Sequence, residues 1–385
     1  MKTVTVFSLL MYILPALSLD LTGYYENTLA PEYSDRAEDR LLDASKLRLD
    51  FSSGSADSGI EFKGNVNFIA YHTDVEIDVS PYLPEAIADS LQARNISAQI
   101  RLERSRIFLD NAYLSWRFWG LRLRAGRQQL TWGPAYSFNP TDLFHRKQML
   151  DPAHEKEGVT ALRIDYRWGV GGQLAAIMIP GGMLAESGYA LRLAEHIPSI
   201  GYDVALTLHQ VEDSTSLDPE SLKPCHQRRR AVGLDFSGGL FGLGFWFEGN
   251  YNMMETEDDF VRFVTGLDYT LENGLYMIFE GLYNGRAETG SPYPVRDWLE
   301  NIYFSEPVSR YRFMAGLRKD LTELTSGSLY YFGGTDGSFV LNPRLDASIA
   351  QNADLTLFGA ATFGNKDGQF PPGNCALTAR VTVFF

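Results

Sequence analysis

The sequence is poor in cysteine and histidine, and this scarcity excludes several classes of site. Only two cysteines, Cys225 and Cys375, occur among 385 residues, too few for a disulfide scaffold and without the spacing of metal ligands. The six histidines are scattered, and neither an HExxH motif nor a glycine-rich phosphate loop is present. The sequence therefore predicts no metal and no other cofactor.

Basic charge and long hydrophobic runs are also scarce. Acidic residues outnumber basic ones by 48 to 34, whereas a nucleic-acid-binding surface needs clustered Lys and Arg. The mean hydropathy is −0.17, and the longest apolar run, Val4–Leu14, is shorter than the roughly 20 residues of a membrane-spanning helix. A nucleic-acid partner and a helical membrane protein are both excluded.

The first 18 residues have the pattern of an export signal. One Lys precedes the apolar run, and Ala16 and Ser18 are small residues at the positions that a signal peptidase inspects. We predict a cleaved signal peptide over residues 1–18 and one domain over residues 19–385.

What the sequence has in abundance is alternation. Aromatic residues make up 13% of the chain, and segment after segment places apolar side chains on one parity and polar ones on the other. In Val159–Trp168, for example, Leu162, Ile164 and Tyr166 alternate with charged residues. This period of two is that of a β-strand with one apolar face, and transmembrane barrels show it because only every second residue faces lipid.

The alternation predicts 18 strands, at 21–27, 43–52, 60–71, 107–118, 121–131, 159–168, 171–179, 188–195, 200–209, 229–237, 241–252, 260–271, 275–284, 309–319, 325–332, 338–349, 353–363 and 375–385. Sixteen strands are the alternative, because 21–27, 188–195 and 325–332 alternate less clearly. Long connections such as 28–42 and 72–106 alternate with short ones such as Trp119-Gly120, as in outer-membrane barrels. We predict an all-β, antiparallel transmembrane barrel with both termini in the periplasm, and the 72–106 segment is compatible with a short helix.

The C-terminal segment carries the first resemblance to known proteins. Asn374–Phe385 alternates cleanly and ends on an aromatic residue, and it resembles the closing strand of bacterial outer-membrane barrels. The resemblance implies a Gram-negative outer membrane, with its lipid as one partner and the barrel assembly machinery, through Phe385, as another.

A second resemblance lies in Leu121–Phe144, which reads LRLRAGRQQLTWGPAYSFNPTDLF. Its GRQ strand, WG pair and NPxD turn resemble a segment of outer-membrane barrels related to the alginate-export porins. The resemblance implies a porin-like channel for the diffusion or export of small polar or anionic solutes, and it does not specify the solute.

Arg127 breaks the alternation inside this segment. Counting on from Leu121, Leu123 and Ala125 would place it toward lipid, where an Arg costs about 2–4 kcal/mol at mid-membrane. A bulge at Gly126 would switch the faces and turn Arg127 into the lumen. The alternative is that Arg127 lies above the lipid and pairs with a carboxylate such as Asp142.

The inward parity also predicts the charges of the pore. The predicted lining includes Arg122, Arg124, Arg127, Arg163, Asp165, Arg167, Arg262, Glu280, Arg310, Arg312 and Arg344. Basic side chains outnumber acidic ones on this wall, and arginines that line a pore favour anions. The alternative is that most of these arginines pair with wall carboxylates, which leaves the pore nearly unselective.

Two other functions are alternatives to a channel. A surface-exposed structural or adhesin barrel would have the same strands and no transport role. An outer-membrane hydrolase would need a nucleophile with a base in reach, and His209 is the one histidine on a predicted strand. We predict that the protein is not an enzyme, and we leave open whether Cys225 and Cys375 form a disulfide.

Overall fold

The chain folds into a closed antiparallel β-barrel of 18 strands. Strand β1 (Leu19–Ser34) pairs with β2 (Arg40–Gly54) on one side and with β21 (Asn374–Phe384) on the other, so the sheet has no free edge. The computed structural model describes residues 19–54, 59–144, 158–183, 186–218, 222 and 224–385. The predicted signal peptide lies outside these residues. The predicted all-β antiparallel barrel of 18 strands is confirmed, and the alternative of 16 strands is wrong. The periplasmic position of both termini stays a prediction.

The fourth strand of the barrel is interrupted. Its two pieces, β6 (Ser105–Phe108) and β7 (Ala112–Phe118), both pair with β3 (Ile60–Tyr71). Two further strands, β4 (Glu76–Asp78) and β5 (Gln99–Arg101), form a separate small sheet in the connection before them. The remaining barrel strands are β8 (Leu121–Gln128), β9 (Val159–Trp168), β10 (Gly172–Ile179), β11 (Gly188–Ile197), β12 (Tyr202–Leu217), β13 (Pro224–Leu240), β14 (Leu243–Met254), β15 (Phe260–Thr270), β16 (Tyr276–Asn284), β17 (Tyr311–Thr322), β18 (Thr325–Gly334), β19 (Ser338–Ala350) and β20 (Ala353–Gly364).

The apolar parity of the strands faces outward. On β12, Leu206 and Leu208 are 45% and 43% exposed, whereas Thr207 and His209 between and beside them are 0% and 5% exposed. Aromatic rings also lie side by side across the outer wall, from Phe236 through Phe247, Phe263 and Tyr283 to Tyr311. An apolar outer wall with aromatic rows is the surface that a barrel presents to lipid.

Short turns lie at one rim of the barrel and the long connections at the other. The longest are 72–104, 129–158 and 285–310. The long connection predicted at 28–42 is wrong, because β1 and β2 extend toward each other and leave only residues 35–39 between them. The start of β1 at Leu19 and the C-terminal residue Phe385 lie at the rim of the short turns, where Phe385 exchanges two backbone hydrogen bonds with Gly23.

Two helices cover the rim of the long connections. Helix α1 (Glu85–Ala93) confirms the helix considered for residues 72–106, whereas α2 (Val295–Phe304) was not predicted. They share an apolar cluster, here called the cap, formed by Leu83, Ile87, Leu91, Leu217, Tyr293, Trp298, Leu299 and Val308. In the described part of the chain, no helix is long and apolar enough to cross a membrane.

Both cysteines are free thiols. Cys225 lies within β13, opposite Ser216, and not in the loop where it was predicted, because β12 and β13 continue well beyond the predicted ends. Cys375 lies at the start of β21, opposite Tyr33.

Candidate functional site

The connection between β8 and β9 folds into the barrel. Its described part, residues 129–144, is called the internal loop below. The beginning and end of this loop, at Leu130, Trp132 and Phe144, pack against the inner faces of β9 to β11. Its tip, at Ala135 and Phe138, packs against the inner faces of β14 to β19. The segment that carries the WG and NPxD pattern is therefore the structure that narrows the lumen.

Glu280 of β16 anchors the tip of the internal loop. Its carboxylate accepts backbone N–H groups from three consecutive loop residues: Tyr136, Ser137 at 2.6 Å and Phe138 at 3.3 Å. It also accepts the indole N–H of Trp246 at 2.8 Å. Glu280 is 0% exposed, so it faces the lumen but does not line an open path. The pore-lining role predicted for it is wrong, because the internal loop covers it.

Glu248 of β14 is a second anchor, which the sequence analysis missed. Its carboxylate accepts the backbone N–H and the hydroxyl of Thr141, both at 2.8 Å, and the side-chain amide of Asn139 at 3.2 Å. A Cβ on Gly133 would lie only 2.1 Å from this carboxylate, and Gly133 has a φ of +89°, a region that favours glycine. The glycine of the WG pair is thus required by the close approach of the anchor.

These contacts divide the lumen into two halves. The packed half is the side where buried wall residues meet the internal loop, namely Trp246, Val264, Ile278, Met314, Tyr330, Phe332 and Val340. The open half is the charged inner face of β2, β3 and β7 to β9, namely Arg48, Asp50, Lys63, Arg117, Arg122, Arg124, Arg163, Asp165 and Arg167. A cavity of 480 Å³ lies against the open half and is lined by Arg48, Lys63 and Arg124, among others.

Three of the predicted pore residues form one ion cluster in the open half. Asp165 of β9 accepts hydrogen bonds from Arg124 at 2.9 Å and from two nitrogens of Arg163, the nearer at 2.7 Å. The amide of Gln173 on β10 binds the same carboxylate at 2.9 Å. Two arginines share one carboxylate, so the cluster carries an excess of positive charge.

Arg122 and Arg167 extend this basic wall toward the rim of the short turns. They line a cavity of 280 Å³ with Arg117 and Asp165, next to the Trp119-Gly120 turn. Within the described residues, neither Arg122 nor Arg167 has a hydrogen-bond or ion-pair partner. Arg117 approaches Glu61 at 3.7 Å. The alternative, in which wall carboxylates pair with most of the basic residues, holds for Arg48, Lys63, Arg117, Arg124 and Arg163. It does not hold for Arg122 and Arg167.

Arg127 does not have the environment that was predicted. The β7–β8 ladder passes Gly126 residue for residue, with Ala112 opposite Arg127 and no inserted residue. Arg127 therefore keeps the parity of Leu123 and Ala125 and lies opposite Thr160 of β9. Gly126 has a φ of +125°, which twists the strand without switching its faces. The bulge and the lumen position predicted for Arg127 are wrong, and its pairing with Asp142 stays a prediction.

The remaining predicted residues lie around the packed half. Arg262 binds Asn284 at 3.1 Å and Glu306 at 2.9 Å, and Arg344 binds Asp346 at 2.8 Å. Arg310 precedes the first residue of β17 and donates to the carbonyl of Ala287 at 2.7 Å, so it is not the strand residue that was predicted.

Arg312 on β17 is 5% exposed and lies beside the rings of Phe138 and Phe370, with its guanidinium carbon 5.9 and 5.8 Å from their centres. A cavity of 580 Å³ adjoins Arg312 between the internal loop and the cap. Its lining mixes apolar side chains with polar and charged ones, among them the carboxylates of Asp142 and Glu306. We call it the outer chamber; it includes Tyr82, Leu83, Ile100, Phe138, Arg229, Arg262, Leu282, Trp298, Ile302, Arg312, Gln369 and Phe370.

The cap is held over this chamber by an ion network. Glu300 of α2 accepts hydrogen bonds from Arg286 and Arg296, each at 3.0 Å, and from the backbone N–H of Leu217 at 2.9 Å. Glu257, in the β14–β15 connection, pairs with both arginines. Burial and, to a smaller extent, the neighbouring Glu300 carboxylate raise the pKa of Asp297 to about 7.

Several solved structures have a similar barrel. OccAB1 of Acinetobacter baumannii matches with a TM-score of 0.59 at 8% identity, over 95% of this chain and 96% of that one. A variant of OccD1 (OprD) matches with a TM-score of 0.58 at 12% identity, over 95% of each chain. OccAB4 of Acinetobacter baumannii matches with a TM-score of 0.58 at 11% identity, over 96% and 98%. No family profile and no curated protein sequence matches this chain.

The chain has the fold of an outer-membrane porin. A closed barrel of this porin type with an apolar outer wall belongs in a bacterial outer membrane, which confirms the predicted location. The finer resemblance to alginate-export porins, drawn from the GRQ, WG and NPxD pattern, stays a prediction.

Proposed function

We propose that the protein is a passive channel for small polar or anionic solutes and that its path follows the open half of the lumen. The observation that carries this proposal is the contrast between the two halves. The packed half is filled by the internal loop, whereas the open half adjoins cavities and presents Arg122 and Arg167 without carboxylate partners among the described residues. Unpaired arginines on a pore wall favour anions.

The pore-lining set that we propose is accordingly narrower than the sequence indicated. It consists of Arg122, Arg124, Arg163, Asp165 and Arg167, all on the inward parity of adjacent strands. Arg124 and Arg163 contribute through a cluster that keeps a net positive charge around Asp165.

Planar-bilayer recording of the purified protein tests this function. We expect single-channel conductance in KCl and, in a salt gradient, a reversal potential of the sign that indicates anion preference. A clear cation preference would contradict the anionic part of the proposal. Absence of any conductance would contradict the channel itself.

One observation favours the second candidate, a structural or adhesin barrel without transport. The cap places buried apolar residues from both helices over the rim of the long connections, and such a cover reduces access to the lumen. The conductance measurement separates the two functions, because a purely structural barrel would not conduct.

We also propose that the protein is not an enzyme. His209, the inward-facing histidine of β12, is 5% exposed. Its ring packs between Trp132 and Phe144, with ring centres 5.2 and 5.5 Å away. A general base must reach the proton that it removes, and this packing keeps solutes away from the imidazole. We therefore expect His209→Ala to leave solute flux unchanged and to abolish no enzymatic turnover.

For assembly, we propose that Phe385 and the short-turn rim face the periplasm, where the barrel assembly machinery reads the C-terminal strand before it closes against β1. The Phe385 side chain is 58% exposed in the closed barrel. Deletion of Phe385 should reduce the amount of folded protein in the outer membrane more than it reduces the thermal stability of the barrel that does fold.

A further inference from the structure

Four neighbouring turns at the rim of the short turns each carry an exposed apolar side chain. Trp119 of the β7–β8 turn is 95% exposed, Val170 of the β9–β10 turn 94%, Ile200 of the β11–β12 turn 60% and Phe241 of the β13–β14 turn 97%. These four side chains are called the apolar tips below. Large apolar side chains exposed in a series mark a contact with another apolar surface or medium.

Two of the apolar tips have a backbone conformation that does not suit them. Trp119 has a φ of +47° and Phe241 a φ of +52°, and each is followed by a glycine that also has a positive φ. Two-residue turns of this kind favour Asn, Asp or Gly at the first position, because bulky side chains rarely adopt a positive φ. The turns themselves gain nothing from a Trp or a Phe, so the aromatic rings serve a contact outside the turn.

The apolar tips continue the outer wall of the barrel. On β7, the outward-facing Trp116 is 46% exposed, and its ring lies 4.5 Å from that of Phe118. The ring of Trp119 follows that of Phe118 at 6.4 Å. The surface that faces lipid therefore runs past the last wall residue of this strand and onto the turn.

Other turns at the same rim have a different composition. The β15–β16 turn presents Glu272-Asn273 and the β19–β20 turn presents Gln351-Asn352, and all four of these side chains are exposed polar ones. The β17–β18 turn is mixed, with Glu323-Leu324 at its tip. The apolar tips are therefore concentrated on the β7–β14 side of the rim, and the β15–β20 side is polar or mixed.

The spacing of the apolar tips favours lipid over a protein partner. Neighbouring strands lie about 5 Å apart, so successive hairpin tips are about 10 Å apart around the rim. A protein interface needs a contiguous and closely packed apolar core, which separated tips do not provide. A lipid layer accommodates separate side chains at one level, and rings such as that of Trp are enriched at the level of the headgroups.

We propose that the apolar tips form an interfacial anchor, which inserts among phospholipid headgroups beyond the end of the outer wall. Because the anchor occupies one side of the rim, it holds the β7–β14 side of the barrel deeper in that leaflet than the β15–β20 side, and the barrel is tilted. The partner is a lipid surface. The inference goes beyond the proposed function, since it concerns how the barrel is seated in the membrane and not what passes through it.

Spin labels on the turns of the whole barrel, in phospholipid vesicles, test the anchor. Val170→Cys and Asn273→Cys are each prepared in a Cys225→Ser/Cys375→Ser background and labelled with a nitroxide. We expect the label at position 170 to be severalfold less accessible than the label at position 273 to a water-soluble nickel chelate on both sides of the bilayer, and more accessible to apolar O₂. Equal accessibility of the two labels to the chelate would overturn the proposal. A label at position 170 that is shielded from chelate and O₂ alike would overturn it too, because a second copy of the protein, and not lipid, would then cover the tips.

Trp119→Asn/Phe241→Asn removes two of the apolar tips and keeps their turns, since Asn adopts a positive φ readily. In this variant we expect the label at position 170 to become more accessible to the nickel chelate. Leu324→Asn is the matched control, because Leu324 is 65% exposed at the same rim and lies outside the anchor. Unchanged accessibility in the double variant, or an equal rise in Leu324→Asn, would contradict the assignment of the anchor to the four tips. The labels report on the seating of the barrel whether or not it conducts, so failure of the anchor is distinct from failure of the proposed channel.

Discussion

The two halves of the lumen are built from the same kind of strand and have opposite contents. In the packed half, Val264 and Met314 are 0% exposed beneath the internal loop. In the open half, the side chain of Lys63 is 48% exposed and pairs with Glu61 at 3.0 Å. Inward parity therefore decides only which residues face the lumen. Whether a residue that faces the lumen contacts water or packed side chains depends on which part of the wall the internal loop covers.

The difference between the two halves arises from which wall carboxylates accept hydrogen bonds from the internal loop. Glu248 and Glu280 are lumen carboxylates without an arginine beside them on their own strands, so the loop's backbone N–H groups and Thr141 satisfy them. Asp165 instead lies among arginines that already saturate it. A carboxylate that is bound by the wall has no capacity left to anchor a loop.

Removal of the two anchors should have the largest effect. In Glu248→Ala/Glu280→Ala, several buried loop donors lose their acceptors, each at a cost of about 1–3 kcal/mol. We expect the internal loop to leave the packed half, with a larger single-channel conductance and with new protease cleavage between residues 129 and 144. Asp50→Ala removes a lumen carboxylate from the open half and is the control. Unchanged conductance in the double variant would mean that apolar packing alone holds the loop.

Truncation of a core side chain should distinguish the halves by stability. Phe332 is 1% exposed in the packed half. Phe332→Ala should therefore lower the free energy of unfolding by about 3–5 kcal/mol, the usual cost of Phe→Ala in a core. Lys63→Ala in the open half should change stability by less than about 0.5 kcal/mol. The stability of both variants is measured on gels, as the temperature of sample heating at which the band of the folded barrel disappears. Similar shifts for the two variants would show that the packed half is not a core.

Charge reversal should act mainly on the open half. Arg122→Glu/Arg167→Glu replaces two cations that have no hydrogen-bond or ion-pair partner among the described residues with anions, and we expect the reversal potential in a KCl gradient to move toward cation preference. Arg318→Glu, on the packed side of the barrel, should move it less. An equal movement in both variants would place the ion path elsewhere than along β8 and β9.

The smallest expected effect is a pH dependence of the cap. The pKa of Asp297 is raised to about 7, above its unfolded value of about 3.9, so the folded cap binds a proton that the unfolded cap releases. Stability from this group is complete below about pH 4 and is lost as the pH rises toward 7. The protection factors of the α2 amides, which are corrected for the intrinsic pH dependence of exchange, should be higher at about pH 5 than at pH 8, and Asp297→Asn should flatten the difference. A cap that is more protected at pH 8 in the wild type would contradict this sign.

Much of the fold was predictable because the signal is local. A wall that faces lipid on one side imposes a period of two on every strand, as in Val159–Trp168. This pattern can be recognised in each strand separately. Strand ends were less predictable. β12 and β13 run on to Leu217 and Pro224 as paired strands above the apolar zone, where backbone pairing continues after the alternation of side chains has ended.

The site was only partly predictable for the same reason. Parity puts Arg122, Arg163 and Asp165 on the inner face of β8 and β9, and their pore-lining role stays a prediction. Parity puts Glu280 on the inner face too, where the internal loop buries it. The error at Arg127 came from an assumed bulge that the β7–β8 register does not contain. Glu248 gave no sign of its role, because an anchor is defined by a partner more than 100 residues away, as its bond to Thr141 across 107 positions illustrates.

The sequence by itself determined the class of fold, the inward and outward faces of the strands and the segment, from Gly126 to Asp142, in which a distinctive loop would form. These follow from period, turn residues and glycine, which act over a few neighbouring positions. Only the tertiary structure decided that this loop folds into the lumen onto Glu248 and Glu280, that one half of the pore is filled, and that Arg312 is buried beside Phe138 and Phe370. Those outcomes depend on which donors and acceptors meet across the barrel, and a buried polar group is satisfied by whichever partner the closed sheet brings within reach.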